Sequence, residues 1–427
     1  MDVAVAVLLV VALVGPAGAA PFPGGDVRYS GAAAIDNEFN PAVAYNPNAD
    51  QYLVVWQDAR KTDTHLYDIW GQRVGGDGSK LGPNIRISRG VNSGEYTPAV
   101  AFSTTSNRYL VVWADGRDKL TKGDEIYGQQ VRAGGALAGG PFVISDALAV
   151  GNETAPAVAW NSNANQYLVV WEDTRSGASP SPFDIWGQRV KVGGSMAGAN
   201  FRISGPFGPP VPTMETSPEV AFNATSNQYL VVWTDFRNFA TRGGDIYGAR
   251  IKAGGAIAQA DIQICGVAAD EDDGHADVAW NSNANQYLVT WTDGRNNPAR
   301  GNDIYARRVK AGGNMAGLDF RVVDAMGLGY QTESAVAFSP DANRYLVTWM
   351  DSRDAVDEGN NIYGQWVKAG GATPGNNILI SGVPTDSQEG WPDVAYGSAA
   401  NLHLIVYTDS RNNDTRGGDI YGRLMSD

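Results

Sequence analysis

A run of the form Pro-x-Val-Ala-aromatic returns seven times along the chain, and this periodicity limits the possible folds more than any other feature. PAVAY begins at Pro41, PAVAF at Pro98, PAVAW at Pro156 and PEVAF at Pro218. ADVAW follows at Ala276, SAVAF at Ser334 and PDVAY at Pro392, at intervals of 57, 58, 62, 58, 58 and 58 residues. A fixed period of this length marks a repeat architecture in which each copy is one supersecondary unit.

Each copy holds four short apolar segments, a to d. Segment a is the Pro-x-Val-Ala-aromatic run. Segment b is YLVVWQD from Tyr52 and its relatives, c is DIWGQRV from Asp68, and d is NIRIS from Asn84. All are rich in Val, Ile and aromatic residues, which marks them as strands. Segments b are almost continuously apolar, as a strand packed on both faces must be. Asn- and Asp-rich connections such as NPNADQ (46–51) suit the a–b hairpins, and Gly-Gly pairs separate c from d. The seventh copy stops after segment c, at DIYGRLMSD (419–427), while a spare segment, DVRYS (26–30), precedes the first a. The expected fold is therefore all-β: a seven-bladed β-propeller with four antiparallel strands per blade, whose N-terminal strand closes the last blade.

Composition narrows the function classes. The formal net charge is −14 over 427 residues, and no Lys/Arg cluster is present, which argues against nucleic acid and anionic membrane surfaces as partners. Residues 3–14, VAVAVLLVVALV, are followed by GPAGAA. This is the pattern of a signal peptide, too short to span a bilayer. The expected organisation is a signal peptide over 1–19 and a single propeller domain over 20–427. The mature chain would carry no transmembrane segment and would be secreted to the extracellular space, the periplasm or the cell surface. Cys265 is the only cysteine, so no internal disulfide forms; it occupies the repeat position of Ser88, Ser145, Ser204 and Ser381.

Two polar positions repeat with the blades. Segment b ends in Asp-x-Arg in every copy: Asp58/Arg60, Asp115/Arg117, Asp173/Arg175, Asp235/Arg237, Asp293/Arg295, Asp351/Arg353 and Asp409/Arg411. An acid also stands three residues before segment a: Glu38, Glu95, Glu153, Glu215, Asp273 and Glu389, with Gln331 in the sixth copy. Residues two apart on a strand share a face, so these groups are expected to form a structural ring of acid–arginine pairs. A guanidinium among the carboxylates opposes a metal ion, and no D-x-D-x-D-G loop occurs. No metal site or cofactor is expected; calcium is the one ion for which the carboxylates leave room.

The a–b spacing is uniform, whereas the d–a and b–c connections vary in length and sequence. Varied loops on a rigid scaffold are where binding usually resides. Phe39, Tyr96, Phe207, Phe239, Tyr330 and Trp391 lie in or beside these connections and are the candidate binding residues, through their aromatic faces. A catalytic site should break the sevenfold symmetry, and no Ser/His/Asp, Cys/His or HExxH arrangement is present. His65 and His275 fall on blades that are not neighbours, and no carboxylate pair stands out. The leading expectation is a secreted, non-catalytic recognition or scaffold propeller that binds a glycan or an extracellular protein through the d–a and b–c loop face. One alternative is an extracellular polysaccharide-active hydrolase or lyase using loop carboxylates. The other is a self-assembling structural surface protein.

The strings YLVVWxDxR, D-I-[YW]-G-x-[RQ]-V and the Gly-Gly turn resemble repeats in secreted and cell-surface β-propeller proteins of bacteria and archaea. The resemblance covers the chain after the signal peptide and implies an exported propeller used for adhesion or binding. The chain lacks the sialidase Asp-box, the Gly-His and Trp-Asp pattern of WD40 repeats and the calcium loops of integrin α-subunits, so no catalytic residue carries over from those families.

Overall fold

The computed structural model describes residues 23–31, 37–60, 66–90, 93–145, 150–175, 183–205, 214–266, 272–296, 301–324, 329–354, 359–381, 387–412 and 417–427. The segment read as a signal peptide, His65 and Phe207 lie outside them.

The chain is a seven-bladed β-propeller. Six four-stranded antiparallel sheets follow in sequence order, each running from an inner strand a to an outer strand d. In blade one these strands are Glu38–Asn46, Gln51–Asp58, Asp68–Gly75 and Ile85–Arg86. The seventh sheet takes strands a to c from Glu389–Gly397, Leu402–Asp409 and Asp419–Ser426, and its outer strand from Val27–Arg28 at the other end of the chain. Val27 pairs with Gly422 and Arg28 with Tyr421, as the spare N-terminal segment required. Around this closure Tyr29 N–H donates to Ile420 O at 2.7 Å, Arg28 pairs with Asp419 at 2.5 Å, and Arg411 pairs with Asp26 at 3.0 Å. Closing the ring covers the apolar faces that the first and last blades would otherwise expose to water.

The core lies between blades rather than within them. Strands b are buried along nearly their whole length, and each apolar cluster joins the face of one blade to the next. The cluster at the closure combines Tyr29, Val43, Tyr52 and Trp56 with Leu404, Val406 and Ile420. That two-sided burial is why segments b carry no polar alternation. One short helix, Phe239–Arg242, sits in the b–c connection of blade four. No helix among the described residues is long and apolar enough to cross a membrane.

Each strand a enters through a β-bulge. In blade one the register shifts between Phe39 and Ala42, so Asn40 and Pro41 are both skipped. A proline, lacking an N–H, fits where the ladder offers no acceptor. The residue before this position, which is proline in five blades, Ala276 in blade five and Ser334 in blade six, turns left-handed in every blade: Asn40, Thr97, Ala155, Ser217, His275, Glu333 and Trp391 have φ between 47 and 56°. None is glycine, and together they ring the mouth of the central channel.

Candidate active site

The Asp-x-Arg motif builds the rivet that holds each blade end. The Trp indole N–H of strand b donates to the Asp at 2.8–3.3 Å in blades one to six. The Arg two residues on donates back to the same Asp; its Nε lies 2.7–2.8 Å from a carboxylate oxygen in six blades. The guanidinium then lies 3.8–4.3 Å over an aromatic ring of strand c in all seven blades. Bidentate pairing and stacking are both properties of a planar guanidinium, which is why lysine does not occur there.

The expected ring of acid–arginine pairs is corrected in two respects. The shared-face argument does not apply, because strand b ends at the Asp: Arg60 and Arg175 lie in the turn beyond Gln51–Asp58 and Gln166–Asp173. What brings each arginine back is the turn itself. Asp58 accepts the Arg60 backbone N–H at 2.9 Å, and Asp173 accepts that of Arg175 at 2.8 Å. The second correction concerns the acids before strand a. Arg60 reaches Glu38 at 3.7 Å and Arg175 reaches Glu153 at 3.0 Å, but each guanidinium sits closer to its own Asp, at 2.5 Å from Asp58 and 2.6 Å from Asp173.

The recurring partner of the acids before strand a is instead the serine that ends segment d, just past the outer strand. Ser88 Oγ donates to Glu95 at 3.0 Å and accepts the Ile69 N–H at 2.7 Å. Burial, with the charge of the neighbouring Asp, pushes Glu38 up to about 9, and Glu95, Glu153 and Glu215 up to about 8. Burial therefore favours the protonated form of these carboxyls, although Arg175 still donates to Glu153 at 3.0 Å. Blade six supplies the isostere: Gln331 Nε2 donates to Asp351 at 3.3 Å, where a protonated glutamic acid would use its hydroxyl.

Cys265 belongs to the same cluster. Its sulfur accepts the Ile246 N–H at 3.2 Å and faces Asp245 and Asp273; this is the one group of three metal-capable side chains gathered among the described residues. Sulfur is larger than oxygen and Asp273 is shorter than Glu, so the pair fills the space of Ser with Glu. Burial, together with the adjacent carboxylates, raises the thiol far above its ordinary range.

The aromatic candidates separate. Trp391 is 44% exposed and lines the channel; Phe39 of the neighbouring blade meets it edge-on at 5.8 Å between ring centres. Tyr96 packs against Tyr67 at 5.6 Å. Phe239, 63% exposed, meets Phe236 edge-on, and Tyr330 is 54% exposed; neither lines the channel cavity. His403 is fully buried against Trp366 and Tyr396, and burial lowers it to about 3, so it is neutral core.

The central channel holds what the sequence reading passed over. A cavity of about 450 Å³ is lined by the first residues of strand a from all seven blades. The variable residue of the Pro-x-Val-Ala run is alanine in blades one, two, three and six, but Glu219, Asp277 and Asp393 in blades four, five and seven. Asp277 accepts the N–H of Val278 at 2.6 Å and of Val336, in the next blade, at 2.7 Å. Asp393 does the same with Val394 and, across the closure, with Val43, both at 2.7 Å. Glu219 has one backbone bond, to Val220. Burial raises all three. Two amide donors apiece restrain Asp277 to about 6 and Asp393 to about 7, whereas burial and the charges of both aspartates hold Glu219 well above the carboxylate range. His275 and Glu333 stand at the cavity mouth beside Trp391.

No family model matches the chain, and no curated protein matches its sequence. Solved structures match the fold. A Penicillium chrysogenum α-L-arabinanase complexed with arabinobiose has a TM-score of 0.52 at 12% identity, covering 77% of this chain and 92% of that one. A Fusarium graminearum α-L-arabinofuranosidase with an iminosugar inhibitor has a TM-score of 0.51 at 12% identity, with the same coverage. A protein of unknown function from Dyadobacter fermentans has a TM-score of 0.51 at 12% identity, covering 94% of this chain and 98% of that one. At such identity the likeness establishes the fold. The expectation of a non-catalytic recognition or scaffold propeller is nevertheless corrected. It rested on the lack of a symmetry-breaking set, and Glu219, Asp277 and Asp393 are such a set; two of the three named neighbours are glycosidases.

Proposed function

We propose that the chain is a glycoside hydrolase whose catalytic carboxylates stand in the central channel. The observation that carries this reading is the replacement of alanine by Glu219, Asp277 and Asp393 at one repeat position, all facing one cavity. Glycoside hydrolysis needs one carboxyl that holds a proton and another that stays ionised. Glu219, with one amide donor and two carboxylates nearby, is the proton donor. Asp277 and Asp393, each held by two amide N–H groups, are the ionised partners. As the bond between the anomeric carbon and the glycosidic oxygen breaks, Glu219 gives its proton to the departing oxygen. The aspartates stabilise the positive charge left on the anomeric carbon, and one accepts a proton from the water that adds there.

The fold shared with an arabinanase and an arabinofuranosidase supports a polysaccharide substrate. The test is reducing-sugar release from a panel including arabinan, xylan, glucan and polygalacturonate, with Glu219→Gln, Asp277→Asn and Asp393→Asn as single variants. The expected result is turnover of at least one glycan. It should fall about 10²- to 10⁴-fold in Glu219→Gln, the usual contribution of a positioned general acid. Inactivity across the panel, or full activity in all three variants, overturns the reading.

A further inference from the structure

The seven left-handed residues at the channel mouth share a conformation but not a side chain. Asn, Thr, Ala, Ser, His, Glu and Trp occupy one position each, so the backbone there is architectural and the side chains are free to differ. Left-handed φ is least suited to a bulky residue. Trp391 nevertheless takes it, at φ 50°, and leaves 44% of its surface exposed beside the cavity. One contact holds its backbone and one its ring. Its backbone N–H donates to Glu333 Oε2 of the preceding blade at 2.9 Å, and its ring meets Phe39 of the following blade edge-on. Gly390 leaves the space: a Cβ there would sit 3.2 Å from Met350 Sδ and 3.7 Å from Glu333 Oε2. An immobilised, exposed indole face beside carboxylates matches the C–H face and hydroxyl edge of a sugar ring.

The charge of the lining adds a constraint. Glu219, Asp277, Glu333 and Asp393 line the cavity, and no Lys or Arg is among the described residues that do. A uronate would bring a negative charge into that ring with no Lys or Arg to receive it.

We infer that Trp391 is the sugar-stacking platform of the cavity, a specificity-determining residue that selects an uncharged glycosyl unit. This rests on the glycosidase reading for the class of ligand. Its own test is equilibrium binding, which requires no turnover. Wild type, Trp391→Ala and Trp391→Phe are titrated by calorimetry with arabinotriose, xylotriose, cellotriose and trigalacturonate. At least one neutral trisaccharide should bind wild type. Trp391→Ala should bind it about tenfold more weakly, while Trp391→Phe stays within about threefold, since a smaller ring keeps the stacking face. Thermal unfolding of both variants should match wild type because the side chain is exposed. Unchanged affinity in Trp391→Ala, preference for trigalacturonate, or no binding by any of the four overturns the inference. Normal binding without hydrolysis of any glycan instead leaves the platform standing and removes the hydrolase.

Discussion

Replacing Glu215 by glutamine should make the protein less sensitive to pH without weakening it. Glu215 is fully buried next to Ser204, and Asp235 and Asp184 raise it further, so its carboxyl titrates at about 8 against an ordinary value of 4.5. Between those values the folded chain keeps a proton that the unfolded chain has released. Stability is then fully present below about pH 4.5 and falls as pH rises towards 8, by about 1.4 kcal/mol per pH unit for each such carboxyl. From pH 5.5 to 7.5 this one group removes about 3 kcal/mol. Glutamine has the shape of the protonated acid and cannot ionise, and Gln331 already fills the equivalent place in blade six. Urea unfolding at several pH values should give equal stability for wild type and Glu215→Gln near pH 5. The variant should lose less per pH unit, by about 1.4 kcal/mol, and be the more stable protein at pH 7.5. Parallel curves, or a variant destabilised equally at every pH, would refute the argument, because the carboxyl would then be ionised in the fold.

Two further outcomes follow from the geometry. Tyr29→Ala should destabilise the protein by about 3–5 kcal/mol in the same assay, the range for removing a fully buried aromatic ring, because Tyr29 lies in the cluster that closes the ring; a change below about 1 kcal/mol would mean the N-terminal strand is dispensable. The pH–rate profile should be bell-shaped. Its acid limb should lie near pH 6–7, where Asp277 and Asp393 ionise, and its alkaline limb where Glu219 loses its proton; a rate that rises monotonically above pH 8 would contradict the assigned roles.

The repeat makes the blades readable because every blade solves the same packing problem. Two-sided burial keeps Tyr52–Trp56 and its six equivalents apolar apart from Thr290, Thr348 and His403, and the closure can be counted from the missing strand after 419–427 and the spare one at 26–30. The rivets are visible as Asp-x-Arg, but the partner of the acids before strand a is not. Chain direction places Glu38 and Glu153 near Arg60 and Arg175, whereas the regular partner, the serine that ends segment d, comes from the far edge of the preceding blade. The channel is hidden for the same reason that the blades are visible. Glu219, Asp277 and Asp393 sit inside a matching motif, so they read as tolerated variation within a strand. Only ring closure brings positions 58 or more residues apart to face one axis. The signal is present in PEVAF, ADVAW and PDVAY: three charges at a position that is otherwise alanine. Trp391 is legible as an aromatic near a loop; its partners Phe39 and Glu333 are not, because they come from the two flanking blades.

The role of Glu219 as proton donor is tested most directly by varying the leaving group. A glycan leaves as an alkoxide unless it is protonated, whereas 2,4-dinitrophenolate departs without help. Wild type and Glu219→Gln should be compared on the unactivated glycan that wild type hydrolyses and on the 2,4-dinitrophenyl glycoside of the same sugar. The account predicts a loss of about 10²- to 10⁴-fold on the glycan and a loss of less than about tenfold on the activated substrate. Equal losses on both substrates, or no loss on either, would contradict it.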